Sequence, residues 1–155
     1  MSAAAPLTIT NGRLVLPSGE PQPGGIRCEG GLITALGAVT AQPGDTVVDA
    51  KGRLIAPGLV DLGVFAIDKA AFHIGGITRA ALMPDQTPPL DHPARVRFAA
   101  LSGKPDLWVH PLAAATRGLE GSELAELALM RDAAASGWTH KSGLPDSAAN
   151  RTRAG

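Results

Sequence analysis

The sequence predicts an α/β protein in two parts, a small antiparallel β unit followed by parallel βα units. Two observations carry this. Residues 7–56 are short β-rich runs broken by Gly, Asn and Pro, the punctuation of hairpins. After Pro57, mostly apolar runs alternate with helical patterns closed by glycines, the spacing of strands joined by helical crossovers. A chain of 155 residues is also long enough to bury a core.

The elements follow in order. Leu7-Thr8-Ile9-Thr10 and Arg13-Leu14-Val15-Leu16 flank Asn11-Gly12, and Asn-Gly between two β-rich runs predicts a hairpin because both residues tolerate positive φ. A Pro/Gly loop covers Pro17 to Gly25. A second hairpin is expected from Ile26–Glu29 and Leu32–Leu36 around Gly30-Gly31. A third is expected from Thr46–Asp49 and Arg53–Ala56 around Ala50-Lys51-Gly52. Leu59 to Phe65 then reads as a strand buried on both faces. Asp68 is placed to cap a short helix that Gly75-Gly76 ends, and Ile77–Met83 is a second strand. Asp91 is placed to cap a helix through Val96, Phe98 and Leu101, stopped by Gly103. Leu107-Trp108-Val109 is a third strand. Ser122 is placed to cap the clearest helix, Glu123 to Ser136, with Leu124, Leu127 and Met130 near one face and Gly137 as terminator. From Trp138 onward apolar content and period vanish, so the tail reads as disordered or foreign to the rest. One explanation is a shift of coding frame near that point. The expected divisions are 1–56, 57–137 and 138–155.

Composition narrows the function. Lys plus Arg is 14 and Asp plus Glu is 14, for a formal net charge of zero, which offers no general attraction for nucleic acid or anionic membrane. Tyrosine is absent and Phe and Trp are few, against stacking on bases. The single cysteine, Cys28, excludes an internal disulfide and fits a reducing cytosol; in a β run with no neighbouring base it reads as a buried, inert thiol. Met1-Ser2-Ala3-Ala4-Ala5-Pro6 has no basic start and no long apolar run, so no signal peptide is read. No stretch approaches the roughly 18 apolar residues of a membrane span. The expectation is a cytoplasmic protein.

Four motifs in order then carry a resemblance. Val47-Val48-Asp49-Ala50-Lys51-Gly52-Arg53-Leu54-Ile55-Ala56-Pro57-Gly58-Leu59-Val60-Asp61 follows the β unit. Gly75-Gly76-Ile77-Thr78 is similar to a "GGFTT" segment. Met83-Pro84-Asp85-Gln86-Thr87-Pro88 is similar to "MPNTxP", and Thr116-Arg117-Gly118-Leu119-Glu120-Gly121 to "TKGxxG". Together they resemble the long-form bacterial dihydroorotases of the amidohydrolase superfamily. The resemblance implies a small β-sandwich portion followed by a TIM-type (β/α)8 barrel. A full barrel takes roughly 250 residues, so this chain would supply about three of the eight units. It also implies zinc-dependent, reversible cyclisation of carbamoyl-aspartate to dihydroorotate, with zinc activating a bound water.

The departures from that pattern lie at its chemistry. The family has His-x-His-x-Arg after the aspartate matched by Asp61; here those positions hold Gly63, Phe65 and Ile67. Glycine and phenylalanine donate no lone pair to a metal, and isoleucine cannot pair with a substrate carboxylate as arginine does. The substrate-contacting Asn of "MPNTxP" is Asp85, an anion where an anionic substrate would approach. The stretch between Asp61 and Gly76 is also shorter than the family pattern. His73, His92, His110 and His140 share no ligand spacing and each reads as a surface or structural histidine. His110 is the most tempting, at an expected strand end. Glu123 and Glu126 read as a solvated helix face, and Arg95 and Arg97 as surface charges. No catalytic, substrate-binding or metal residue is expected, and no cofactor.

Three readings follow from the resemblance. The preferred one is a non-catalytic dihydroorotase-like protein, a structural partner of aspartate carbamoyltransferase in pyrimidine biosynthesis. The others are an active zinc-dependent cyclic amidohydrolase with an unrecognised site, and a remnant without function. An unclosed barrel leaves strand edges and apolar faces open, so self-association or dependence on a partner is also expected.

Overall fold

The computed structural model describes residues 5–139. The chain divides after Pro57 into two compact units.

The first unit is one five-stranded mixed sheet. Its strands are β1 (Leu7–Leu14), β2 (Gln22–Glu29), β3 (Leu32–Gly37), β4 (Thr46–Asp49) and β5 (Leu54–Ile55). They lie in the order β3-β2-β1-β4, with β5 also on β1. The β2–β3 hairpin forms as expected, turning on Gly30 (φ 59°) and Gly31 (φ 80°). The other two expected hairpins do not form. Asn11-Gly12 leaves β1 continuous and makes a bulge in its pairing with β2 between Ile9 and Gly12, with Asn11 at φ 54°. An Asn in the left-handed region serves a bulge as readily as a turn. Strands β4 and β5 do not pair with each other. Both run parallel to β1, with Thr10 opposite Asp49 and Arg13 opposite Leu54. Between them Lys51 (φ 51°) and Gly52 (φ 76°) step the chain past the bulge. The Gly52 N–H donates to the Asn11 carbonyl at 2.6 Å, so bulge and step brace each other.

The interior of this unit is polar. The Arg27 guanidinium forks onto Asp45, Nε to Oδ2 and Nη2 to Oδ1, both at 3.0 Å, and the Asp45 side chain is 1% exposed. Thr8 donates to Asp45 Oδ2 at 2.6 Å and the Gln42 N–H donates at 3.0 Å. Arg27 Nη1 also reaches Glu29 at 2.7 Å. Hydrogen bonds from Arg27, Thr8 and Gln42 hold the Asp45 carboxyl well below the usual carboxylate range, and the same pairing pushes Arg27 up. Both shifts favour the charged forms. Cys28 is half-buried rather than enclosed.

The second unit alternates strand and helix: β6 (Leu59–Val64), α1 (Lys69–Gly75), β7 (Ile77–Leu82), α2 (Pro93–Leu101), β8 (Trp108–Ala114), α3 (Leu127–Asp132) and β9 (Gly137–Thr139). The sheet order is the chain order, β6-β7-β8-β9, and every pair is parallel. Right-handed crossovers wound in one direction put successive helices on one face, as in a β/α barrel and unlike a doubly wound sheet, whose order reverses. That face holds the core, in which Leu107, Val96 and Met130 are fully buried among Leu82, Leu90, Val109 and Ala113. Burying each large side chain contributes roughly 1.5–3 kcal/mol.

The ends of α1 match expectation. Asp68 accepts the Ala71 N–H at 3.1 Å, and Gly76 closes the helix at φ 70°. At α2 the cap is His92, whose Nδ1 accepts the Ala94 N–H at 3.2 Å, with Pro93 opening the helix. Asp91 binds Arg95 at 2.6 Å and the Gly118 N–H at 2.8 Å instead. Helix α3 starts four residues later than its pattern suggests, and Ser122 does not cap it. Residues 123–125 run against 115–117, with Arg117 N–H to the Glu123 carbonyl (2.9 Å) and Ala125 N–H to the Ala115 carbonyl (3.0 Å). These bonds use backbone groups a longer helix would need, and Leu124 is left 71% exposed. Trp138 and Thr139 do not begin a tail. They pair with Ala113 and Ala114 as a fourth parallel strand. Residues 140–155, with His140, lie outside the described residues.

Candidate functional site

In a barrel of parallel strands, chemistry belongs at the carboxyl ends of the strands. The end of β6 presents the altered positions. Gly63 is exposed and its N–H donates to Asp61 Oδ1 at 3.0 Å. A Cβ placed on Gly63 would meet only Met83 Sδ, at 3.9 Å, so the backbone leaves room for a side chain that the sequence does not supply. Phe65, just past the strand, is 59% exposed. Ile67 is half-buried and packs against the core. Asp85 is exposed in the loop after β7. Gly63, Phe65 and Ile67 offer no metal donor. Among the described residues no three His, Cys, Asp or Glu side chains gather. The residues present do not fit a zinc ion.

The loops at this end are nevertheless tied together. Gln86 donates through Nε2 to the Phe65 carbonyl (3.1 Å) and to the Met83 carbonyl (2.9 Å), joining the β6 and β7 loops. The Ala114 N–H donates to the Leu90 carbonyl at 2.9 Å. Asp91 reaches the Gly118 N–H, and Thr116 Oγ1 accepts the Gly121 N–H at 3.0 Å. Gly118 and Leu119 adopt φ near 60° to make that turn. The Met83–Pro88 and Thr116–Gly121 motifs therefore serve here as struts. The sequence reading did not assign Gln86 this role; its only signal was membership of the motif. Beside the struts lies an apolar cleft of about 500 Å³ lined by Ile67, Leu82, Leu90, Phe98 and Ala99, with Arg95 among its polar groups.

The histidines are dispersed. His73 is exposed on α1 and His92 is occupied as a cap. His110 is the third residue of β8, not its carboxyl end. Its Nε2 lies 3.3 Å from Arg79 Nη1 and its Nδ1 lies 3.4 Å from Ser136 Oγ. A guanidinium can only donate, so any hydrogen bond between the two runs from Arg79 to the ring nitrogen. Glu123 and Glu126 precede α3; Glu123 pairs with Arg117 at 3.5 Å. Arg97 is exposed.

One cluster has no counterpart in the sequence reading. Arg79 lies over the Trp108 ring, 5.4 Å from its centroid, and the Lys104 ammonium packs against the same ring. Lys69 Nζ donates to the Lys104 carbonyl at 3.0 Å. Burial, and then the neighbouring charge of Arg79, push the Lys104 ammonium below its ordinary value. Trp108 was read only as strand filler, because a cluster of residues 69, 79, 104 and 108 has no sequence spacing to reveal it.

No protein-family model matches the chain. It is 34% identical over 144 residues to a dihydroorotase of Pelotomaculum thermopropionicum, covering 83% of this chain and 34% of that one. It is 35% identical over 147 residues to a dihydroorotase-like protein of Pseudomonas putida, covering 81% and 34%. The chain thus spans about one third of the length of the curated relatives it matches. Among solved structures, the L-hydantoinase (dihydropyrimidinase) of Arthrobacter aurescens superposes with a TM-score of 0.68 at 23% identity, over 85% of this chain and 32% of that one. A dihydroorotase superposes with a TM-score of 0.57 at 16% identity, over 86% and 42%. These two likenesses speak for the fold, and the sequence matches for descent. The chain is a homologue of the dihydroorotases, and its second unit carries four parallel strands in the order of a β/α barrel.

Proposed function

We propose that the chain is a cytoplasmic dihydroorotase-like protein of pyrimidine biosynthesis that does not itself open a cyclic amide, and that it acts as a structural partner of aspartate carbamoyltransferase. The observation that supports this is the end of β6, where Gly63 has room for a side chain and has none. Opening a cyclic amide requires an activated water or nucleophile. Among the described residues no three metal donors gather. What persists is the backbone around the site, with Gln86 and Asp91 bracing three loops. Retention of the scaffold without its donors suits a protein kept for its surface.

The test is co-purification of the full chain, tagged, with aspartate carbamoyltransferase from the same organism, alongside elemental analysis. A stoichiometric complex and well under one zinc per chain are expected. One zinc or more per chain, with hydrolysis of dihydroorotate, would overturn the non-catalytic reading. Failure of the two proteins to associate at micromolar concentration would overturn the partner role.

A further inference from the structure

Among the described residues, positive charge meets at Trp108 with no ion-paired acid. The Arg79 guanidinium and the Lys104 ammonium share one indole ring, and the Lys69 ammonium is fastened to the Lys104 carbonyl. Each described ion pair lies elsewhere, on Arg27, Arg95, Arg117 or Arg131. Asp106, two residues from both Lys104 and Trp108, is exposed and forms no ion pair among the described residues. The contact of Arg79 with His110, at 3.3 Å, brings no negative charge, since an imidazole is not an acid partner. The chain as a whole is electrically balanced, so this local excess is a matter of placement. Like charges held together are unfavourable unless an anion joins them. The ring attracts both cations by its quadrupole, and a guanidinium with five N–H donors and an ammonium with three carry more donors than the bonds they make among the described residues.

We propose that Arg79 and Lys104, which meet at the Trp108 ring, form with Lys69 on the Lys104 carbonyl a binding site for a small oxyanion, a phosphate or a carboxylate. The guanidinium offers a planar fork and the ammonium groups act as point charges, the pairing that recognises such anions. This site is separate from the carboxyl-end loops and does not depend on the role proposed for them.

Trp108 is its own reporter once Trp138, the other tryptophan, is replaced by Phe. Fluorescence of the full chain carrying Trp138→Phe would be followed at constant ionic strength while inorganic phosphate, or acetate in a second series, replaces chloride. A saturable change is expected with at least one of them, and the tighter anion identifies the head group preferred. Lys104→Gln, in the loop before β8, should raise the half-saturating concentration at least tenfold, and Arg79→Gln at least as much. Circular dichroism would confirm that each variant is folded. If Arg79→Gln does not fold, Lys104→Gln decides alone. A signal that never saturates, or half-saturation unmoved by Lys104→Gln, would overturn the proposal.

Discussion

The two units bury different things. In the first, the most enclosed side chains are those of Thr8, Leu14, Asp45 and Arg27, and large aliphatics such as Leu32, Ile33 and Val47 stand exposed. In the second, a cluster of Leu, Val, Ala and Met side chains is enclosed between sheet and helices. One interior depends on a hydrogen-bonded charge pair, the other on apolar contact. The difference teaches where each is vulnerable. A paired charge is costly when one partner is lost, because the other stays buried without it. An aliphatic core loses stability in proportion to the volume removed.

The sharpest way to separate the two modes is to open a cavity in the second unit. Met130 is fully buried, and Met130→Ala should destabilise this unit by roughly 2–5 kcal/mol. Both tryptophans, Trp108 and Trp138, lie in this unit. Urea unfolding followed by tryptophan fluorescence therefore reads it without contribution from the first. A loss below half a kcal/mol would mean that the core around Met130 can collapse onto the space.

The complementary test removes the charge from the first unit. Asp45→Asn keeps the shape but leaves Arg27 without its counter-charge. It should lower hydrogen-exchange protection of the β1 and β2 amides and leave the fluorescence transition in place. The pH dependence follows from the direction of the Asp45 shift. Its carboxyl is held below its ordinary value of 3.8 when folded. The stabilisation is therefore complete above that value and is lost as the pH falls towards the lower folded value. The parent should lose β1 and β2 protection progressively below about pH 4, and Asp45→Asn should show far less change there. Equal acid sensitivity in the two would assign the effect to other carboxylates.

The same contrast explains what could be read from sequence. Strands β6, β7 and β8 and helices α1 and α2 were legible from apolar runs set between turn residues, and Asp68 and Gly76 act as the caps their residue types suggest; β6 is not buried on both faces as its run implied, since Leu59, Val60 and Leu62 are exposed. Non-local pairing was not legible. Asn11-Gly12 and Lys51-Gly52 carry hairpin chemistry, yet the first is spent on a bulge opposite β2 and the second on the step between β4 and β5 parallel to β1, pairings that local residues do not encode. The early residues of the expected third helix favour helix, but their backbone pairs with residues 115–117. At the site, the loss of donors at Gly63 and Phe65 was plain from residue type alone. The Gln86 and Asp91 struts and the cations at Trp108 were hidden because they join segments distant in sequence.

A smaller effect is expected at α1, where the apolar mode meets a local polar device. Asp68→Ala removes the acceptor of the Ala71 N–H and should destabilise the second unit by about 1 kcal/mol. The urea midpoint should fall without a change in slope, since the surface exposed on unfolding is unaltered. No shift in midpoint would show that α1 is held by Phe72 against the core rather than by its cap.

The smallest expected change in stability carries the most information about the site. Gly63 is exposed with open space beyond its Cα, and Phe65 is largely exposed. Gly63→His with Phe65→His should therefore alter unfolding free energy by no more than about 0.5 kcal/mol, the usual range for surface changes. Gly63 near the end of β6 and Phe65 just past it are both exposed while Val64 between them is buried, so the pair restores two nitrogen donors to nearby positions. Two donors fall short of the three protein ligands of a catalytic zinc site. The double variant should take up zinc weakly, and the parent should take up less under the same conditions, as read by equilibrium dialysis and elemental analysis. A gain in zinc uptake without hydrolysis of dihydroorotate would show that the strand still offers the geometry and that only the side chains have gone. Equal uptake by parent and variant would place any zinc elsewhere in the chain, and a large loss of stability would mean that Gly63 is required by the backbone after all.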